Sequence, residues 1–308
     1  MVTMMMRRML AFCVIVGFLL AGCGREAPKE KIFFLVHTGQ NLYGSMLREE
    51  FDKIAKEHGQ AVDYFDAGGD ADVQAEQLER IVQNGAKFAV LLAVDENKVV
   101  PAVEKVVNAG VTIVAAQRHL ASDKVFGVYS DEYGAGQMQA EYMERNLPTG
   151  AHIFYLQGSS GLQSSRQRWE GFKDRCLAKR PDIWIVDRQD GRYSKEEGRR
   201  IAEKWLHDYS QIDAIICAND EMALGALAAL KSAHRARSCM VSGIDAMEDA
   251  VSAVEAGEMR QTIKQDVRGQ AQGVYRMIEQ LQQGEQPKEI LYIPLIPITK
   301  DNAAKYRK

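Results

Sequence analysis

The chain carries little net charge of either sign. Its 308 residues hold 39 Lys and Arg against 42 Asp and Glu, a formal net charge of −3. A protein that grips nucleic acid through general electrostatics shows a basic excess, and this one does not. Long hydrophobic runs are also scarce, which excludes a polytopic membrane protein. Low-complexity tracts and short internal repeats are missing. With apolar residues at 46%, the composition rules out a disordered or collagen-like chain. The five cysteines never fall as CxxC, so neither a zinc knuckle nor a redox dithiol is indicated. The six histidines (37, 58, 119, 152, 207 and 234) show no metal-ligand spacing. No phosphate loop or GxGxxG ends a strand. No metal and no cofactor is therefore expected.

What is present begins with a leader. Arg7 and Arg8 precede an apolar stretch from Met9 to Leu20, too short for a membrane span of about 20 residues. Small residues then lead into a cysteine, Leu20-Ala21-Gly22-Cys23. This resembles the bacterial lipobox, in which the cysteine is lipidated and becomes the first mature residue. Residues 1–22 are read as a lipoprotein signal peptide and 23–30 as a tether. The expectation is an exported protein, in the periplasm or at the cell surface, held to a membrane only by lipid on Cys23. Cys13 leaves with the leader. Cys176, Cys217 and Cys239 remain, an odd number that leaves at least one free thiol, and Cys217 and Cys239 lie in apolar runs as small buried hydrophobes.

After the leader, short apolar runs recur at 31–37, 62–65, 88–94, 111–116, 152–157, 183–187, 213–218 and 239–245. Continuous runs of this kind suit strands buried on both faces of a parallel sheet. The segments between them are amphipathic: Leu47, Phe51, Ile54 and Ala55 are spaced for a helix face. Gly59, Gly85 and Gly110 follow such segments as C-terminal caps do. Asp220 is placed as the N-cap of a helix carrying Met222, Ala226, Leu227 and Leu230. The fold class is α/β, with doubly wound parallel sheets and right-handed crossovers. About ten strands exceed one comfortable sheet, so two lobes are expected.

In open α/β sheets, ligands bind beyond the carboxyl ends of the strands. The residues there are His37 to Asn41, Gln117-Arg118-His119, Gly158-Ser159-Ser160, Asn219-Asp220, Asp245 and Gln265. Arginine and amide groups can give and take the paired hydrogen bonds a polyhydroxylated ligand needs. Competing readings fail on detail. Gly158-Ser159-Ser160-Gly161 is not a GxSxG elbow and has no triad partners, so an exported hydrolase is not supported. The stretch from Asp66 to Asp72 faintly resembles a calcium loop but lacks its ligand order and final Glu; a turn and a helix start explain it.

Four segments carry a family resemblance. They are Ala218-Asn219-Asp220-Glu221-Met222-Ala223-Leu224-Gly225-Ala226, Ser165-Arg166-Gln167-Arg168-Trp169-Glu170-Gly171-Phe172, Val241-Ser242-Gly243-Ile244-Asp245 and Gln261-Thr262-Ile263-Lys264-Gln265. In this order and spacing the chain resembles the periplasmic sugar-binding proteins of the ribose/galactose type, the ligand-capture subunits of ABC importers. The resemblance covers nearly all of 31–296. It implies two α/β lobes joined by three crossovers, near 130–132, 264–267 and 292–295. The N-terminal lobe would comprise 31–130 plus 267–292, and the C-terminal lobe 131–265 plus 293–308.

Carried over position by position, the resemblance implies that Asn219, Asp245, Arg118 and Arg168 hydrogen-bond sugar hydroxyls. Gln265 is a hinge-side glutamine, and Asn41 falls on a family asparagine. Tyr43 and Tyr193 sit where aromatics cover the ring. The departures are Gln117, where many members have Asp, Gly44, where a second stacking aromatic is common, and Leu92 or Ala93 in place of an Asn. Plain ribose is therefore not the expected ligand. Counting Arg118 and Arg168 against Asp245 alone leaves one positive charge, which favours a sugar carrying an acidic group or one lacking a usual contact. Trp169 is assigned to the core. The implied function is non-enzymatic: capture of a sugar or sugar-like ligand and delivery to an ABC permease. The alternative is a receptor subunit that presents such a signal to a membrane sensor kinase or chemoreceptor.

Overall fold

A computed structural model describes residues 30–37 and 42–307. Cys23, the leader and the tether up to residue 29 lie outside the described residues, and so does Asn41. The elements alternate. β1 (Ile32–Val36), α1 (Leu42–Glu57), β2 (Val62–Asp66), α2 (Ala71–Gln83), β3 (Phe88–Leu91), α3 (Val100–Asn108), β4 (Thr112–Ala116) and β5 (Phe126–Ser130) come first. α4 (Glu132–Asn146), β6 (His152–Gln157), α5 (Gln163–Lys179), β7 (Trp184–Asp190), α6 (Lys195–Asp208), β8 (Ala214–Cys217), α7 (Asp220–Ser232), β9 (Met240–Ser242), α8 (Glu248–Glu255) and β10 (Gln261–Gln265) follow. α9 (Val267–Gln282), β11 (Ile290–Ile293) and β12 (Leu295–Thr299) close the chain.

Two six-stranded sheets result, ordered β11-β5-β4-β3-β1-β2 and β12-β10-β9-β8-β6-β7. The central strands are the continuous apolar runs. β1, Ile-Phe-Phe-Leu-Val, is buried along its whole length because helices cover both faces of its sheet. Phe34 on one face joins Phe51 of α1 and Val274 of α9, while Leu35 on the other joins Leu78 of α2 and Val103 of α3. All pairings are parallel except β10 with β12, which is antiparallel. A parallel neighbour needs a crossover of a dozen or more residues. β12 instead follows β11 after the single residue Pro294, so it enters the second sheet from the opposite end.

The chain passes between sheets three times: at Asp131 after β5, at Asp266 after β10 and at Pro294. Helix starts are fixed locally. Asp70, Asp131 and Ser194 cap α2, α4 and α6 by accepting N–H groups of the first turn. Gly59, Gly85 and Gly110 follow α1, α2 and α3 at positive φ. Asp66 and Asp70 serve the turn and the α2 cap, which accounts for the acidic run there.

Close helix pairs in the second lobe rest on glycine. A Cβ at Gly136 of α4 would lie 2.0 Å from the Arg168 carbonyl oxygen, and one at Gly171 of α5 would lie 2.0 Å from that of Tyr133. Gly198 of α6 and Gly225 of α7 make the same reciprocal approach, with a Cβ 2.7 Å from the Met222 carbonyl oxygen and 2.1 Å from that of Lys195. Gly171 and Gly225, which fall in two of the four sequence segments, are thus packing residues that let backbones touch. Trp169 lies at the margin of the core, its ring edge-on to Tyr155 at 4.8 Å and under the Arg188 guanidinium.

Candidate functional site

The carboxyl ends of the strands of both sheets open on one cavity of about 500 Å³. Eight of the nine residues expected at the site line it: Tyr43, Gln117, Arg118, Arg168, Tyr193, Asn219, Asp245 and Gln265. The ninth, Asn41, lies outside the described residues. Backbone strain concentrates at the same place. Among the described residues, six other than glycine take positive φ, and Gln117, Arg192, Tyr193 and Asp245 of these line the cavity. Such conformations cost about 1–3 kcal/mol each and persist where the surroundings enforce them.

On the first-lobe side, β4 delivers Gln117 and Arg118. Arg118 Nη1 donates to the carbonyls of Ala93 and Val94. Gln117 Oε1 lies 2.7 Å from His37 Nε2. An amide oxygen only accepts, so His37 donates from Nε2. Burial, and then the Arg118 charge, hold the His37 pKa down to about 4. Gly44 completes this corner, because a Cβ there would meet His37 Cε1 at 3.2 Å. The departures at 44 and 117 are thus linked through one buried histidine. Tyr43 is held by its hydroxyl, which donates to Gln270 Oε1 at 2.9 Å.

On the second-lobe side, Arg168 of α5 is almost wholly buried. Its Nε donates to Glu132 Oε2 at 2.5 Å and its Nη1 to the Ala218 carbonyl. Burial opposes its charge, but Glu132, with Tyr193 and Asp245, outweighs it, and the pKa is raised. Gln265, at the second crossover, donates to both oxygens of the same carboxylate at 3.3 and 3.4 Å. Glu132 stands just past the first crossover, so it ties two hinges to Arg168. Sequence reasoning missed it. Its signal was position: it follows an apolar strand end, as the recognised residues do.

Asn219 and Asp220 correct the expectation for this pair. Asn219 is the cap of α7, its Oδ1 accepting the Met222 N–H at 3.1 Å, so its amide N–H₂ is the group it offers to the cavity. Asp220 is not the cap. It is fully buried and accepts from Thr262 Oγ1 at 2.8 and 2.9 Å and from the Met247 N–H at 2.9 Å. Burial, reinforced by Asp245, raises its pKa well above the usual carboxylate range. Ala246 N–H donates to the same Thr262 hydroxyl, and Asp245 N–H to the Ile263 carbonyl. This network fixes the loop that holds Asp245 at φ 121°. Burial is also the main reason the Asp245 carboxyl is pushed up to about 7.

Tyr193 is not an exposed turn tyrosine. It is half-buried, its hydroxyl lies 3.2 Å from Ser164 Oγ, and its ring covers Gly158, where a Cβ would be 2.0 Å from Cζ. That contact explains the glycine in the Gly158-Ser159-Ser160-Gly161 loop.

The charge count is a second correction. Among the described lining residues, Arg118, Arg168, Arg192 and Lys195 face Glu132, Glu196, Glu221 and Asp245. In formal charge the lining thus holds four of each sign, where the count over Arg118, Arg168 and Asp245 alone left one positive charge. Cys176, Cys217 and Cys239 are buried and free, away from the cavity.

The model of the family described as periplasmic binding protein domain matches residues 32–286. A putative rhizopine-binding protein of Rhizobium meliloti is 29% identical over 273 residues, spanning 86% of this chain and 88% of that protein. A ribose import binding protein of Bacillus subtilis is 29% identical over 261 residues, spanning 80% and 84%. Among solved structures, an ABC transporter solute binding protein from Bacillus halodurans C-125 with bound myo-inositol superposes with a TM-score of 0.85. It shares 26% identity over 91% of this chain and 98% of that one.

Proposed function

Because the chain belongs to the periplasmic binding protein domain family, whose members bind ligands without transforming them, we propose that it captures a neutral polyhydroxylated ligand, a sugar or a cyclitol, between its two lobes and hands it to an ABC import permease. The observation that carries this reading is the meeting of groups from both lobes on one cavity. Tyr43, Gln117 and Arg118 come from one side, and Arg168, Tyr193, Asn219 and Asp245 from the other. A ring of hydroxyls presents in-plane donors and acceptors, which match amide, guanidinium and carboxylate groups, and apolar C–H faces, which match tyrosine rings. A ligand touching both walls stabilises the closed arrangement, so capture and hinge closure are one event.

The balanced charges favour a neutral ligand. The names of a ribose import binding protein and of a structure with bound myo-inositol, both neutral polyols, favour the same class. Export and a lipid on Cys23 would place the protein where such a ligand arrives. A thermal-shift screen of the purified full chain against aldoses, alditols, cyclitols, uronates and sugar phosphates tests the reading. A ligand that binds only the folded state adds about 2.7 kcal/mol at a hundredfold excess over Kd. A shift confined to neutral polyols is the expected result. A shift with uronates or phosphosugars alone, or with nothing in the panel, would overturn it.

A further inference from the structure

The lobes also touch outside the ligand-contacting residues. Glu96 belongs to the first lobe, in the loop after β3, yet it is only 3% exposed. Its carboxylate accepts the backbone N–H of Gln163, the first residue of α5 in the second lobe. Arg166, one turn along α5, brings its Nη2 to 3.7 Å from the same carboxylate. α5 has no cap of its own: Leu162 stands at the N-cap position with no side-chain hydrogen bond. α2, α4, α6 and α7 are capped by Asp70, Asp131, Ser194 and Asn219 from their own chain neighbourhood, while α3, α8 and α9, like α5, have no side-chain cap, and α5 alone of these four is shown taking a carboxylate from the opposite lobe.

The loop that presents Glu96 is built for the purpose. Asp95 Oδ1 accepts the N–H groups of Asn97 and Lys98, each at 3.0 Å, closing a turn around position 96. Arg118 holds the preceding carbonyls of Ala93 and Val94. On the other side, α5 carries Arg168. One residue of each wall of the cavity is therefore mechanically joined to this contact.

We propose that Glu96 is an interlobe latch that supplies the missing N-cap of α5 from the opposite lobe and so sets the closed fraction of the protein before any ligand binds. A negative group at a helix N-terminus is stabilising, and an ion pair with Arg166 adds to it. Both partners regain water when the lobes part, so the net effect is modest: about tenfold in the open-to-closed ratio, or about 1.4 kcal/mol. The consequence for capture, slower release of bound ligand, rests on the reading of the cavity as a ligand trap. The latch itself does not.

The test is accordingly made without ligand. Glu76 and Glu203, exposed on opposite lobes, are replaced in the full chain by p-acetylphenylalanine bearing a ketoxime spin label, and pulsed dipolar spectroscopy gives the distribution of lobe separations. The expected result is a closed population that falls about tenfold relative to the open one in Glu96→Ala and by less in Glu96→Gln, which keeps an acceptor but loses the charge. Adding Leu162→Ser to Glu96→Ala gives α5 a cap of its own and should leave the population open. Unchanged distributions in both Glu96 variants, no closed population in the parent, or full recovery of closure by Leu162→Ser would each overturn the latch. The last outcome would mean that Glu96 merely steadies the helix.

Discussion

Replacing Glu132 by Gln is the most informative single change in this molecule. The carboxylate and the Arg168 guanidinium are buried together, with side chains 10% and 6% exposed. Glu132 accepts from Arg168 Nε and from Gln265 Nε2. The amide can keep one of these bonds, but its N–H₂ then meets a donor, and the guanidinium loses its nearest opposite charge. Breaking one side of a buried ion pair costs about 3–5 kcal/mol. Asp245 still attracts Arg168, which places the expected loss near the lower end, about 3 kcal/mol. At roughly 2–4 °C per kcal/mol for a chain of 150–250 residues or somewhat more, melting should drop by about 6–12 °C. A second effect follows from the same geometry. Burial, then Glu132 and Glu221, hold the Asp245 carboxyl up and Arg168 pulls it down, so removing Glu132 leaves Arg168 less opposed. The Asp245 midpoint should fall below about 7. Calorimetry together with a carboxyl-carbon NMR titration reads both. Glu132→Gln paired with Arg168→Gln should recover much of the loss, since no uncompensated charge remains. A melting change under 2 °C with an unmoved Asp245 midpoint would refute the reasoning.

Further outcomes follow from other parts of the site. Hydroxyl groups donate to an ionised Asp245, so affinity for a neutral polyol should rise with pH up to about 7 and level off above it, as titration calorimetry across pH 5–9 would show. In the ligand-free protein the sign is opposite. The folded chain keeps a proton that the unfolded chain loses near pH 4, so this contribution to stability fades as pH rises from about 4 to about 7, and Asp245→Asn should flatten that slope in denaturant titrations. Asp220→Ala strands the Met247 N–H and the Thr262 hydroxyl in a buried place and should cost about 2–5 kcal/mol in chemical denaturation, while Asp220→Asn, which keeps an acceptor, should cost less than half of that. Gly171→Ala drives a methyl into the Tyr133 carbonyl. It should destabilise by about 1–3 kcal/mol and weaken binding as well, because the same helix pair sets Arg168 against Glu132.

The alternation of strand and helix was legible because parallel strands covered on both faces must be apolar throughout, and β1, β3, β4, β6 and β8 are. β5 was harder to see. It is interrupted by Gly127, which is needed because a Cβ there would lie 2.1 Å from the Tyr129 ring. β11 is an edge strand with Leu291 and Tyr292 in solvent, so its sequence carries no burial signal of the central kind. Gln117, Arg118, Asn219, Asp245 and Gln265 were legible from one rule, that ligands sit beyond strand ends, whereas Tyr43, Arg168 and Tyr193 came only from the family resemblance. Glu132 escaped because an acidic residue in the first turn of a helix has an ordinary explanation in the helix dipole. Its partner is 36 residues away and reaches it only through the glycine contact of α4 with α5. The α7 cap was placed at Asp220 rather than at Asn219 because both residue types are good caps. The choice between them is made by Thr262 and Met247, which no local pattern reveals.

The central claim is that the two walls of one cavity close on a single neutral polyol. Titration calorimetry of the parent chain and of Asp245→Asn, with the polyol that gives the largest thermal shift, tests it most directly. The account predicts one site per chain and a loss of affinity of about tenfold to a hundredfold in the variant, the size expected when a hydrogen bond to a charged group is removed. Equal affinity in parent and variant, or no binding heat with any neutral polyol, would contradict it.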